Sequence, residues 1–151
     1  MQSPRDKIGA ALFTLLETMN GTGTNQYDFG YFSRNFKEYD ALGATDFPAF
    51  CMVYLGEIQH QEQAWGLRTY VMEFLLQFCF KTDPGTSRKG EEIGMAILDA
   101  LDAFFPPSPA QPQTLGGLCV EAWVDGAVQL DTGVVMQPMV LKVPVKILCG
   151  N

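Results

Sequence analysis

Apolar residues recur at helical spacing near the start of the chain: Ile8, Leu12, Leu15 and Met19, with Ala11 and Leu16 beside them. Ser3 and Pro4 suit the cap and first position of a helix, and Asn20-Gly21 suits its stop. From Phe47-Pro48 the period changes to two. Phe50, Met52 and Tyr54 share one face, and Ala49, Cys51, Val53 and Leu55 share the other. Both faces are apolar, which predicts a central strand. Ile58 to Gly66 is polar and predicts a turn. Leu67 to Phe80 then alternates again: Tyr70, Met72, Phe74, Leu76, Phe78 and Phe80 against a second set that mixes polar and apolar residues. Two strands so close in sequence pair by default as an antiparallel hairpin.

Asp83-Pro84-Gly85 marks a turn inside a loop from Lys81 to Lys89. Ile93, Ile97, Leu101 and Phe104 predict a second helix, with Glu91 and Glu92 in its first turns and Pro106-Pro107 ending it. After a Pro-rich extended stretch, Leu118 to Asp125 alternates as a strand. Gly126 suggests a bulge or bend, and Val128 to Leu130 continues the strand. Asp131-Thr132-Gly133 is a turn. In the final strand, Val134 to Leu148, Met139, Leu141, Val143, Val145 and Ile147 form an unbroken apolar face. Pro144 cannot donate to a ladder, so this strand lies at an edge or carries a bulge. Gly21 to Asp46 fits neither period; it mixes Gly, Thr, Asn and Asp with Tyr27, Phe29, Tyr31, Phe32, Phe36 and Tyr39. The expected fold is one α+β domain over residues 1–151. It has a mainly antiparallel β-sheet of about four or more strands with two helices packed on one face.

Composition narrows the function classes. The chain has 151 residues, 47% hydrophobic and 18% charged, enough apolar material for a real core. Its formal net charge is −7. That argues against a grip on nucleic acid, which needs clustered Lys and Arg, though not against a wall that DNA slides past. There is no apolar run of about 18 residues, so no transmembrane helix and no membrane partner are expected. Met1 to Lys7 is polar, unlike a signal peptide, which points to synthesis in the cytoplasm. Cys51, Cys79, Cys119 and Cys149 are scattered among apolar neighbours and read as buried free thiols.

Little of the sequence suggests chemistry. His60 is the single histidine, which leaves neither a His-based metal site nor a triad easy to assemble. No phosphate-cradling glycine motif is present. The acidic residues Glu91, Glu92, Asp99 and Asp102 read as a solvated helix face, and Arg34-Asn35-Phe36-Lys37 as a surface loop. Catalytic, cofactor and metal residues are therefore none, and the chain is expected to be no enzyme. An enzyme would have to rest on scattered carboxylates. Binding or assembly remains.

The sequence "DKIGAALFTLLETMNG", then "DFPAFCMVYLGE", "WGLRTYVMEFLLQFCF", "GEEIGMAILDALDAFF", "LCVEAWVDGAVQL" and "VMQPMVLKVPVKIL" run in an order that resembles the tail-terminator (tail-completion, head-tail joining) proteins of long-tailed phages and gene-transfer agents. The resemblance implies a virion protein of the tail or neck, made in the host cytoplasm. It implies a homo-hexameric ring that caps the tail tube, stops its polymerisation and joins it to the head connector or stopper. DNA would pass the lumen without specific binding. A different connector or tail-tube role is the nearest alternative. A monomeric or dimeric module that binds a small ligand or peptide through the aromatic 27–39 segment is the rival from another class. On the ring reading, Tyr27, Tyr31, Phe32 and Phe36 are candidate subunit contacts. Gln59, His60, Gln61 and Trp65, at the hairpin turn, are candidates for docking on the tube or the next subunit. Lys142 and Lys146, on a Pro-bearing edge strand, would discourage uncontrolled strand addition.

Overall fold

The structure, a computed structural model, describes residues 2–24, 26–61, 68–81, 87–106, 110–132 and 138–150. Helix α1 (Pro4–Glu17) opens the chain; the Ser3 side chain accepts a hydrogen bond from the Asp6 N–H at 3.1 Å, and Pro4 takes the first helical position. The helix ends at Thr18, before the expected Asn20-Gly21 stop, because the Thr18 hydroxyl and amide both turn back to the Leu15 carbonyl. Strand β1 (Tyr31–Ser33) and a 3-10 turn (Tyr39–Ala41) occupy the irregular segment. Strands β2 (Ala49–Gln61) and β3 (Arg68–Phe80) form the hairpin. Helix α2 (Ser87–Phe104) follows, then β4 (Glu121–Val124), β5 (Gln129–Asp131) and β6 (Met139–Gly150).

These strands make one mixed six-stranded sheet in the order β1-β2-β3-β6-β4, with β5 also on β6. All pairs are antiparallel except β1 with β2. The apolar alternation sets the faces. Met72, Phe74, Leu76, Phe78 and Phe80 of β3 pair with Ile147, Val145, Val143, Leu141 and Met139 of β6, and all ten are buried. Ile8, Leu12 and Leu16 of α1 and Ile97 and Leu101 of α2 join the same cluster. The α+β fold with both helices on one side of the sheet is therefore present.

Several expectations are corrected. Ile58 to Gln61 is not turn but the end of β2, held by pairing with Arg68 to Val71. The turn itself, with Trp65, lies outside the described residues, as do Asp83-Pro84-Gly85 and the start of the expected Val134 strand. β2 is central only over Ala49 to Cys51, where β1 pairs with it; beyond that no described strand flanks its outer side. Helix α2 is described from Ser87, which places Glu91 and Glu92 in its second turn. Leu118 to Val120 is turn and bend, and strand begins at Glu121.

β6 is the clearest correction. It is not an edge strand, because β3 flanks one side and the β4–β5 line the other. Lys142 and Lys146 therefore guard no edge. Pro144 sits where that line is broken: the ladder runs Val124 against Val145, then resumes at Gln129 against Lys142, with two extra residues on the β4–β5 side. The Pro144 carbonyl accepts from the Asp125 N–H at 3.2 Å. A strand residue points its N–H and C=O to the same side, so the missing donor of Pro144 faces the bulge. Gly126, at φ 110°, turns the chain there.

The bulge makes a directional prediction. Pro144→Ala adds an N–H that faces only the break, and should cost no more than about 1 kcal/mol. Val143→Pro, one residue earlier, strips a donor aimed at β3 and should cost at least about 1–3 kcal/mol. Urea denaturation of the two variants checks this; equal costs would mean the strand is oriented the other way.

Candidate functional site

The second face of the sheet is covered over only part of its length. The chain leaving β1 crosses this face as far as Gln77. Gln77 is buried, and its Nε2 donates to the Lys37 carbonyl at 3.0 Å while the Cys51 thiol points at the same oxygen. Lys37 in turn lies 4.8 Å over the Tyr31 ring. Arg34 pairs with Asp6 at 3.4 Å. Both cations of the Arg34-Asn35-Phe36-Lys37 cluster thus engage this chain's own side chains.

Beyond that cover, three rows of side chains cross the open half. Cross-strand partners share a face, so the register defines the rows. Val53, Leu75 and Pro144 form one, apolar throughout; Ile58, Val71 and Leu148 form another, apolar over β2, β3 and β6 and ending in Glu121 on β4. Between them run Gly56, Glu73, Lys146 and Trp123. Lys146 Nζ lies 3.1 Å from Asp125 Oδ2 and 3.9 Å from Glu73 Oε1. Lys146, helped by the Trp123 side chain, holds the Asp125 carboxyl below its usual range. The result is a charged row between two apolar rows.

β2 borders this face, and beyond Cys51 no described strand pairs with its outer edge. At its middle, Leu55 is an extra residue between the pairs Tyr54–Phe74 and Gly56–Glu73. Leu55 is 55% exposed, Ile58 47% and Tyr54 43%. Gly56 adopts φ 137°, which a side chain would resist, and a methyl there would meet open space. At the far end of β2, Glu57 accepts from Arg5 Nε at 2.7 Å and Nη2 at 2.9 Å, and from the Tyr54 hydroxyl at 3.1 Å. Arg5 also lies 4.3 Å over the Tyr70 ring. The Arg5 guanidinium holds the Glu57 carboxyl down to about 2. An open depression of about 620 Å³, walled by Arg5, Gln59, His60, Arg68 and Tyr70, adjoins this latch.

The predicted contact residues separate into distinct environments. Tyr27 and Phe32 pack on the core: Phe32 stacks on Phe50 at 4.5 Å between centroids, and Tyr27 meets Phe80 edge-on at 5.3 Å. Tyr31 donates its hydroxyl to the Asn35 carbonyl at 2.6 Å, and Phe36 is half-buried. Gln59, His60 and Gln61 sit together at the end of β2. Lys146 belongs to the charged row, whereas Lys142 lines a separate shallow hollow with Glu38 and Tyr39. Glu73, Trp123 and Asp125 were not singled out in the sequence. The one available signal was the mixed character of the second residue set on β3.

Cys51, Cys79 and Cys149 are buried free thiols, and Cys119 is half-buried. Burial pushes Cys79 up to about 12 and Cys119 up to about 11, and raises Cys51 and Cys149. Among the described residues, no three His, Cys, Asp or Glu side chains are grouped to hold a metal ion, and no helix is long and apolar enough to cross a membrane. No protein-family model matches the chain, and no curated protein is a significant match.

The Arg5–Glu57 latch gives the protein an acid-sensitive tie between α1 and β2. The folded carboxyl titrates at about 2 against an ordinary 4.5. Its contribution is therefore complete above about 4.5 and is lost as pH falls through about 2. At pH 7 the urea midpoint of the wild type should exceed that of Glu57→Gln, and the two should converge near pH 2. A constant gap across that range would show that the latch contributes nothing pH-dependent.

Proposed function

We propose that this chain is a structural subunit that acts by self-association, forming a ring at the head-proximal end of a phage tail tube. There it would stop tube polymerisation and join the tail to the head connector. The observation that carries the reading is the pair of unlike borders on one sheet. On one side no described strand pairs with β2 beyond Cys51, and Tyr54, Leu55 and Ile58 are exposed along it. On the other lies the short, broken β4–β5 line, bridged at Ala122 by the backbone of Gln113. A contact that joins two different borders of successive copies is heterologous, and a heterologous contact closes into a ring when its rotation permits. An unpaired strand also carries free backbone donors and acceptors, and natural proteins either blunt or use such an edge. Neither proline nor lysine blunts β2 after Pro48. The net charge of −7 suits a conduit that DNA crosses without sticking.

The rival reading, an aromatic platform for a small ligand, is weakened because Tyr27, Phe29 and Phe32 are packed into the core cluster.

Negative-stain electron microscopy of the protein, alone and mixed with tail tubes from a terminator-deficient lysate, tests the proposal. Rings, or tubes capped at one end and uniform in length, are expected. Leu55→Lys should abolish both while changing stability by no more than about 0.5 kcal/mol, since the side chain is exposed. Neither rings nor capping from the wild type would sink the reading. Capping unchanged by Leu55→Lys would move the contact away from β2.

A further inference from the structure

We propose that the open half of the second sheet face is a two-fold self-docking surface, and that its occupant is the same face of a second copy. The inference is independent of the ring reading and leaves the β2 edge free.

The argument is one of charge complementarity set by strand register. Consider a two-fold axis parallel to the strands, midway between the opposed sheets and above the line between β3 and β6. Rotation about it keeps each row at its own level and exchanges left for right. β3 of one copy then lies over β6 of the other. Glu73 meets Lys146 of the second copy, and Lys146 meets its Glu73, because these two residues are register partners within one chain. The same operation sets Leu75 against Pro144 and Val71 against Leu148, apolar on apolar at the centre of both flanking rows, with Ile58 against Glu121 at the outer end of one of them.

The outer positions of the charged row also match. Trp123 on β4 comes over Gly56 on β2, the largest side chain in the row over the position with none. The space above Gly56 is open, since nothing lies within 4 Å of where its Cβ would stand. Asp125 falls at the rim, where it keeps its pair with Lys146. Stacked sheets lie about 10 Å apart with side chains interdigitating, which brings the opposed carboxylate and ammonium within pairing reach. Four strands are about 19 Å across, and the three rows extend a similar distance along them. That footprint, about 400 Å² per copy, is smaller than the roughly 800 Å² per partner of a standard stable interface, so the contact is a weak one, to be read at protein concentrations in the tens of micromolar and above, on the order of 10⁻⁵ M.

The contact has a charge-swap signature that a simple loss of stability lacks, and association that stops at a dimer separates a two-fold contact from a heterologous one. In Glu73→Lys homodimers, lysine would face Lys146 twice. In Lys146→Glu homodimers, glutamate would face Glu73 twice. Each variant alone should weaken the dimer by about tenfold or more. Mixed in equal amounts, they restore both cross-pairs, lysine over glutamate at each, and the heterodimer should return to near wild-type affinity. The double variant, Glu73→Lys with Lys146→Glu in one chain, keeps the internal pair and both cross-pairs; with Asp125→Asn added, so that the new glutamate does not face the Asp125 carboxylate, it should dimerise as the wild type does. It covers the case in which a single variant fails to fold.

The experiment is sedimentation velocity on the full chain, with circular dichroism as the control for folding. A dimer for the wild type, the double variant with Asp125→Asn and the mixture, with monomers for each single variant, is the expected result. A monomeric wild type at these concentrations overturns the proposal, as does a mixture or a double variant with Asp125→Asn that remains monomeric while the wild type dimerises. Loss of tail capping with this pattern intact would refute the ring alone.

Discussion

The structure depends on β3 being paired on both edges and buried along one face. Among the described strands it alone is paired along nearly its whole length on two sides, with β2 from Arg68 to Cys79 and with β6 from Thr69 to Phe80. Its alternation then fixes the rest. Every second residue from Met72 to Phe80 is buried in the core cluster, and register carries that choice to β6 and β2. A slip of one residue would turn five large apolar side chains to the other face. The helices, by contrast, are held through this sheet. Phe74 underlies Gly9 of α1, and Leu130, opposite Leu141, underlies Gly94 of α2.

That dependence explains what was legible in the sequence. The strand from Arg68 to Phe80, the apolar face from Met139 to Ile147, the Ser3-Pro4 helix start and the hairpin could all be read, because each is written in local period or capping chemistry. What failed depends on distant partners. The polar residues Gln59, His60 and Gln61 look like turn until Arg68 to Tyr70 are placed beside them. Pro144 and the two lysines suggested an edge strand. Whether a strand is flanked on one side or two is not written in its own residues, and here the bulge at Gly126 lets a proline sit inside the sheet. The same limit hid the open face. Glu73, Lys146 and Trp123 are 23 or more residues apart in sequence and meet only through register.

The irregular segment after α1 gives the sheet its asymmetry. Its aromatics had two readings, a partner surface or a cover for this chain's own core. Phe29 and Phe32 take the second, with Phe29 8% exposed and Phe32 stacked on Phe50. The chain then crosses to the other face, where the Gln77 amide fixes the Lys37 carbonyl. One segment thus closes an end of the core and covers part of the second face, and it leaves both the outer side of β2 and the upper rows uncovered. Those two surfaces follow from where the cover ends.

A bare sheet face of valine, leucine and isoleucine would be an indiscriminate adhesive, since apolar burial has no preferred orientation. The Glu73–Lys146–Asp125 row changes that. Its charges add little affinity, because a buried or half-buried ion pair roughly repays its own desolvation. They do penalise every register except those that set opposite signs together. The two flanking rows supply the attraction and the middle row selects the alignment. The same logic separates the face from the β2 edge. The edge offers backbone hydrogen bonds that accept any extended strand, with only the Leu55 bulge and Glu57 to discriminate. A surface that selects its partner by charge and an edge that selects weakly are therefore suited to different contacts, the first to a defined pair of copies and the second to a neighbour whose orientation is fixed by something else.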